Sequence, residues 1–418
     1  MKILFLTDIP PCKNYTAGLV INSWCDFLLE EGHEICCALV QDQSLNPDIP
    51  SDKINKIKFL EIQKPRENWG LPETVKLKDI RENLRSFLNN NLISLIELPQ
   101  IASRISKFAK ENDCQLILVS IQGQTITKLV RKVAKKTKLE YVAQTWDPLE
   151  WWMKEHKFDP ITRCLNLQEF KRVVKEAKNF MAMSWAMSVE FERKYGVKCV
   201  TNIPGLRGGK IRSGVDKNKG KFIISFAGQL YAKEEFDTLI EALERINWTH
   251  NGQEIIINLY GSYFDEKYHH IEGVNIKGYI EQEKLLGLLS SSDLLYCPYW
   301  FSKEFEKVCK LSFPTKLVSF LKTGVPVLMH APEYASPRIL LEKNKAAYIC
   351  NSLNVSDMVN VLQRVLDDKN REKIGLKGYD LFEKYMTYKV MKKSLFVSLG
   401  LMDEKEIEEL ESVREIYL

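Results

Sequence analysis

In SFPTKLVSFLKTGVPVL, residues 312–328, small hydroxyls and a lysine meet a proline and a short apolar period. Leu317, Phe320 and Leu321 recur at i, i+3 and i+4, with Val318 beside them, and predict a helix with one buried face. Pro314 suits its first turn, where a missing N–H costs nothing. Gly324 suits its end, where a residue without a Cβ turns left-handed. At 3.6 residues per turn, Thr315, Lys316 and Ser319 fall opposite the apolar face, and Ser312 lies just ahead of them. Unpaired N–H groups and the positive end of the helix dipole favour an anion at such a start, so hydroxyls and an ammonium there complete a phosphate site. A solvated polar face would give the same pattern, and this stretch alone does not separate the two.

Further glycine turns follow apolar runs in SFAGQLYAKEEFDTLIEAL, INLYGSY and IKGYIEQEKLLGLLSSSDLLYCP. Gly228 and Gly261 end strand candidates, where the missing Cβ lets a ligand approach the backbone. Lys233 follows Gly228 closely enough to reach a phosphate. Gly278 and Tyr279 precede a helical period, and a loop of that sort can offer backbone groups to a nucleobase. No G-x-G-x-x-G follows a strand, which disfavours a nicotinamide dehydrogenase.

Strands must position these turns. Short apolar runs alternate with helical periods along almost the whole chain, predicting an α/β protein with parallel sheets. The candidates are KILFLT, EICCALV, IKFLEI, QLILVSI, LEYVAQT and NFMAMS, then KFIISFAG, EIIINLYG, VNIKGYI, LLYCP, VPVLMH and AAYIC. Several are apolar on both faces, as strands covered by helices on both sides should be. A chain of 418 residues exceeds what one core usually serves. The pattern predicts a first domain over 1–203, a linker over 204–220, a second domain over 221–380 and a helical segment over 381–418. The linker, PGLRGGKIRSGVDKNKG, is crowded with glycine and basic residues and would let two halves close on a ligand held in a cleft. From Lys64 to Gln100 the sequence fits no strand-helix alternation and reads as an insertion near that cleft.

The apolar fraction of 45% and charged fraction of 28% are those of a soluble globular chain. A net charge of +5 does not demand nucleic acid and favours an anionic ligand or membrane surface. The ten cysteines include no C-x-x-C pair, which argues against a zinc ribbon or thiol redox centre and for reduced, buried thiols. No apolar run reaches the ~18 residues a spanning helix needs, and no signal-peptide core follows Met1 to Leu6, so a cytoplasmic protein is expected. Trp146, Trp151, Trp152 and Met153 cluster beside Asp147, either as packing or as a surface for a sugar or membrane interface. The basic stretch KLVRKVAKKTK, 128–138, is consistent with anionic lipid and equally with a solvated helix face. His269 and His270 suggest no metal site.

Residues 221–368 resemble the nucleotide-binding half of the GT-B glycosyltransferases, the retaining glycogen synthase-like and group 1 type. The resemblance rests on the Gly-x-Leu turn before DTLIEAL, the LYG turn, GYI with LLGLLSSSDLLYCP, and PTKLVSFLKTGVPVL. MKILFLTDIPP, YTAGLV and FLLEEGHEICCALV resemble the acceptor half more loosely. It implies two Rossmann-like domains facing a cleft, with C-terminal helices crossing back to the first. The second domain would hold a UDP- or GDP-type sugar donor through Gly228, Gln229, Lys233, Gly261, Tyr279, Ser312, Thr315, Lys316 and Ser319, with Gly18 approaching the diphosphate from the first. The acceptor would be a glycan or lipid-linked molecule in cell-surface polysaccharide synthesis, with peripheral membrane contact.

Departures from the family are also present. Gln229 stands where an arginine is usual, and Leu311 and Ser319 occupy the positions of a customary glutamate pair. No Asp-x-Asp pair exists, so fixed cations, Lys316 and Lys233, rather than a metal ion are expected to stabilise the leaving diphosphate. Where relatives place a histidine, this chain has Asp147, which could orient or deprotonate an acceptor hydroxyl or simply form a turn before Pro148. A same-fold sugar-nucleotide epimerase and a catalytically impaired nucleotide-sugar-binding scaffold remain alternatives.

Overall fold

A computed structural model describes residues 1–42, 44–65, 79–209 and 220–418, without the side chains at 93 and 94. The chain forms two compact units, Met1–Ile203 with Lys392–Arg414, and Pro204–Met391 with Glu415–Leu418. The C-terminal residues Lys392–Arg414 thus belong to the first unit, in keeping with the crossing back that the resemblance implies.

The first unit carries β1 (Lys2–Thr7), β2 (Glu34–Gln41), β3 (Lys58–Gln63), β4 (Leu116–Ile121), β5 (Tyr141–Thr145), β6 (Asn179–Ala182) and β7 (Cys199–Thr201). They form one sheet in the order β3-β2-β1-β4-β5-β6-β7 with parallel neighbours throughout. Its helices are α1 (Thr16–Glu30), α2 (Ser51–Lys56), α3 (Ile80–Glu111), α4 (Gly123–Thr137), α5 (Leu149–Glu155), α6 (Pro160–Glu176) and α7 (Trp185–Tyr195). Strands β2 and β4 are buried along nearly their whole length, which is why they read as unbroken apolar runs.

The second unit carries β8 (Lys221–Ala227), β9 (Thr249–His250), β10 (Gln253–Tyr260), β11 (Val274–Gly278), β12 (Leu294–Pro298), β13 (Val327–His330) and β14 (Tyr348–Cys350). Their order is β11-β10-β8-β12-β13-β14, with the short β9 antiparallel to β10. Helices α8 (Lys233–Arg245), α9 (Gln282–Ser290), α10 (Glu306–Leu311), α11 (Thr315–Thr323), α12 (Ser336–Lys343), α13 (Val355–Asp367) and α14 (Arg371–Tyr385) follow, and α15 (Tyr388–Leu399) leads into the first unit. Phe222, Phe226, Phe236, Leu239, Tyr268, Tyr296 and Leu362 are among the side chains of its core. Burying each such side chain contributes about 1.5–3 kcal/mol.

Every strand candidate from the sequence is a strand; β7 and β9 are additional. The segment read as an insertion is different in kind. Its residues from Ile80 onward open α3, the crossover from β3 to β4, while 66–78 lie outside the described residues. Most of the expected linker, 210–219, also lies outside them. Its start is tied down, since Leu206 pairs with Thr387 and accepts from the Tyr388 N–H at 2.7 Å.

Candidate functional site

In each sheet the strand order reverses beside the first strand, between β1 and β4 and between β8 and β12. Ligands of open parallel sheets bind at the carboxyl ends of strands flanking such a reversal. In the second unit those ends lead to Gly228 and, through α10, to α11.

Pro314 is the residue before α11, extended at φ −71° and ψ 122°, and no side chain caps the helix. The N–H groups of Thr315 and Lys316 therefore have no partner within the helix. Leu317, Val318, Phe320 and Leu321 are buried, and Gly324 ends the helix at φ 69°. Gly375 of α14 braces that end so closely that a Cβ would stand 2.1 Å from the Gly324 carbonyl oxygen. Thr315 is exposed, and Lys316 and Ser319 are half-buried. Ser312 is placed differently from its expected company. It is 7% exposed at the end of α10, and its carbonyl accepts from the hydroxyls of Ser336 at 2.6 Å and Tyr299 at 3.3 Å.

The Lys316 side chain turns toward the end of β8. Its Nζ donates to the Gln229 carbonyl at 2.9 Å and lies 4.4 Å and 4.2 Å from the ring centres of Phe226 and Tyr231. Tyr231 is held in turn by Trp300, 4.2 Å between ring centres, whose Nε1 donates to the Tyr231 carbonyl at 3.2 Å. Phe301, next in the loop after β12, donates its N–H to the buried Glu235 carboxylate at 2.8 Å. No carboxylate among the described residues pairs with Lys316. Desolvation brings its ammonium down to about 8, opposed by the nearby Cys297 thiol. An anion arriving here would meet an under-compensated cation and two free N–H groups.

Three glycine turns lie side by side because β8, β10 and β11 are neighbours. Gly228 has φ +98°, and the Gly261 N–H donates to the Gly278 carbonyl at 2.9 Å. A Cβ on Gly228 would meet only the Lys316 side chain, at 3.6 Å or more, whereas one on Gly261 would stand 2.6 Å from the Gly228 carbonyl oxygen. Gly261 is thus required by chain packing, and Gly228 leaves room in front of Lys316. Tyr279 is 65% exposed beside this row, as is Tyr263 at 87%, which the sequence reading passed over. Lys233, at the start of α8, is in an ion pair with Asp265 at 2.7 Å.

In the first unit Gly18 sits in α1 where a Cβ would stand 2.1 Å from Cys12 Sγ and 3.0 Å from the Pro10 carbonyl oxygen, so its free side is filled by the loop after β1. Asp147 follows β5, half-buried, with its carbonyl accepting from the Thr145 hydroxyl at 3.1 Å. The tryptophans around it pack inward. Trp146 stacks on the buried Trp24 and donates to Ser120 Oγ at 2.8 Å; Trp152 stacks on His156, ring centres 4.0 Å apart, and lies against Gly123. Near the same strand ends Gln122 Oε1, Gln144 Nε2 and Trp151 Nε1 are buried without hydrogen-bond partners. Such atoms are uncommon in folded proteins and mark places that a polar ligand or water satisfies. The Asp8 carboxylate, just after β1, is raised by burial and pairs with Lys64 at 3.3 Å.

Paired parallel sheets of this kind define the GT-B fold. Residues 209–380 match the family described as Glycosyl transferases group 1, in agreement with the resemblance read from the motifs. No curated protein matches the chain by sequence. Similar solved structures include Anabaena Alr3699/HepE in complex with UDP, at 14% identity and TM-score 0.66, covering 96% of this chain and 100% of that one. WaaG, a glycosyltransferase involved in lipopolysaccharide biosynthesis, aligns at 12% identity and TM-score 0.60 over 95% and 100% of the two chains. The α,α-trehalose 6-phosphate synthase of Burkholderia multivorans aligns at 12% and 0.61 over 96% and 98%. No described helix is long and apolar enough to cross a membrane.

Proposed function

We propose that this chain transfers a sugar, with retention of configuration, from a UDP- or GDP-type donor to a glycan or lipid-linked acceptor in cell-surface polysaccharide synthesis. The observation that carries the reading is Lys316, a desolvated ammonium without a carboxylate partner among the described residues, beside the α11 N–H groups that have no partner within the helix and the open face of Gly228. The UDP bound to the similar Anabaena protein supports the same donor chemistry. As the bond between the sugar and the diphosphate breaks, negative charge grows on the leaving oxygen. Lys316 and the N–H groups of Thr315 and Lys316 stabilise it without reorganising, and no metal ion is required in this scheme. Thr315 and Ser319 contribute hydroxyls, Gly228 and Gln229 backbone, and Tyr279 a face for the base. The acceptor oxygen forms the new glycosidic bond, and its proton passes to Asp147 or to the departing phosphate. The work takes place in the cytoplasm, with peripheral contact to a membrane.

Melting of the purified chain against UDP, GDP, ADP, CMP and their sugars tests the donor site. A ligand at ~100 times its Kd stabilises the fold by about 2.7 kcal/mol. A selective shift followed by acceptor-dependent sugar transfer supports the reading. A shift without turnover supports the scaffold, which Gln229, Leu311, Ser319 and the Lys233–Asp265 ion pair favour. Sugar-nucleotide interconversion without an acceptor supports the epimerase, and no shift with or without magnesium refutes the donor site.

A further inference from the structure

The first half of α3 is built inside out. Ser86 and Asn90 are 6% and 2% exposed on its inward face. Ser86 Oγ donates to Asp159 at 3.0 Å, Asn91 Nδ2 donates to Thr162 at 2.9 Å, and Gln124 Nε2 donates to Asn90 Oδ1 at 3.1 Å. Asn166 Nδ2 completes the network by donating to Gln124 Oε1 at 3.1 Å. Outward stand Ile80, Leu84, Leu88, Leu92, Leu95 and Ile96, between 41% and 81% exposed. A helix on a water-facing surface has the opposite arrangement.

The apolar surface continues onto α6, which packs beside α3 and exposes Ile161 and Leu165 at 56% and 42%. By helical periodicity these two fall between the side meeting α3, Thr162 and Asn166, and the side with Cys164, Gln168 and Lys171. That last side rims an open pocket of about 410 Å³ whose charged lining is Lys154, Arg163, Lys171 and Lys194 against Glu150. Arg81 and Arg85 stand exposed among the leucines. Apolar side chains set in a basic frame match the interior and headgroups of an anionic bilayer. A second copy of the chain would bring like charges together.

We propose that the first half of α3 and the start of α6 form the surface that seats this chain on an anionic lipid bilayer. The proposal rests on the peripheral membrane contact proposed above and moves it from the tryptophan cluster, which is packed inward, to these helices.

The full chain is sedimented with vesicles of phosphatidylcholine alone and of equal parts phosphatidylcholine and phosphatidylglycerol. It should pellet with the anionic vesicles, and the variant Leu84→Gln/Leu88→Gln/Leu92→Gln should lose about tenfold or more in partitioning at an unchanged melting temperature. A second variant, Arg81→Gln/Arg85→Gln, should reduce binding to the anionic vesicles with little change on phosphatidylcholine. Wild-type protein left in the supernatant, triple-variant binding equal to wild type, or equal binding to both vesicles would overturn the proposal. So would a dimer in vesicle-free buffer that the triple variant converts to a monomer. Nucleotide-dependent melting of the same preparation reports the donor site separately, so failure of one reading is distinguishable from failure of the other.

Discussion

Replacing Lys316 with methionine keeps the length of the side chain and removes its charge, and stability and binding should then move in opposite directions. Desolvation lowers this ammonium from 10.5 to about 8, so the folded chain disfavours the charged form. At roughly 1.36 kcal/mol per unit, the cost of holding the charge is on the order of 3 kcal/mol. The rings of Phe226 and Tyr231 return about 0.5–2 kcal/mol of that. The Gln229 carbonyl, which loses its donor, costs about 0.5–1.5 kcal/mol more, so the net gain on Lys316→Met is about 0–2 kcal/mol, or up to roughly 8 °C in melting temperature for a unit of this size. The pH dependence has a definite sign. Below about 8 the folded protein carries the charge and its full penalty; between about 8 and 10.5 it sheds a proton that the unfolded chain keeps, and wild-type stability rises. The gap between variant and wild type should be widest at neutral pH and close toward pH 10.5. Nucleotide binding should weaken about tenfold to a hundredfold, the loss of one charge-assisted hydrogen bond. Scanning calorimetry over this pH range, with and without UDP and GDP, measures both effects. A variant that is less stable at pH 7 and binds nucleotide as well as wild type would refute the reasoning.

Gly228→Ala should cost about 1 kcal/mol or more, because φ +98° suits glycine alone, and should blunt the nucleotide response through its contact with Lys316. Gly261→Ala should cost about 1–3 kcal/mol by forcing a Cβ against the Gly228 carbonyl; denaturant melts of both variants check the order. His330 is fully buried, and desolvation lowers it from 6.5 to about 4. The unfolded chain takes up a proton that the folded one refuses, so stability should fall by about 3 kcal/mol as pH drops through that window, and His330→Gln should flatten the acid limb of the melting profile. Asp159→Ala removes the acceptor of the Thr162 N–H at 2.8 Å and of Ser86 at 3.0 Å, and should destabilise the first unit by about 1–2 kcal/mol or more. Melting of that variant without nucleotide provides the check.

What could be read in advance follows from where each element buries its side chains. Strands covered on both faces leave unbroken apolar runs, and α11 buries one face and exposes the other, so its period and both ends were visible in the residues. The first half of α3 defeated the same logic. A helix is found by assuming that apolar residues face inward, and here Ser86 and Asn90 face inward while the leucines face out, with Pro99 further along to discourage the assignment. β7 and β9, of three and two residues, are too short for any period to register. The candidate site was legible wherever its members are close in sequence, as in the Pro-Thr-Lys start. Long-range partners were not. The Lys233 ammonium is taken by Asp265, 32 residues on, and the glycine row exists because β8, β10 and β11 are spatial neighbours. Glycine itself was the weakest guide, because a missing Cβ is equally useful to a ligand and to another stretch of chain. At Gly18 and Gly261 the close neighbour is the protein, and at Gly228 it is the end of a lysine. That distinction makes Gly228 and Lys316 the pair on which the proposed donor site stands.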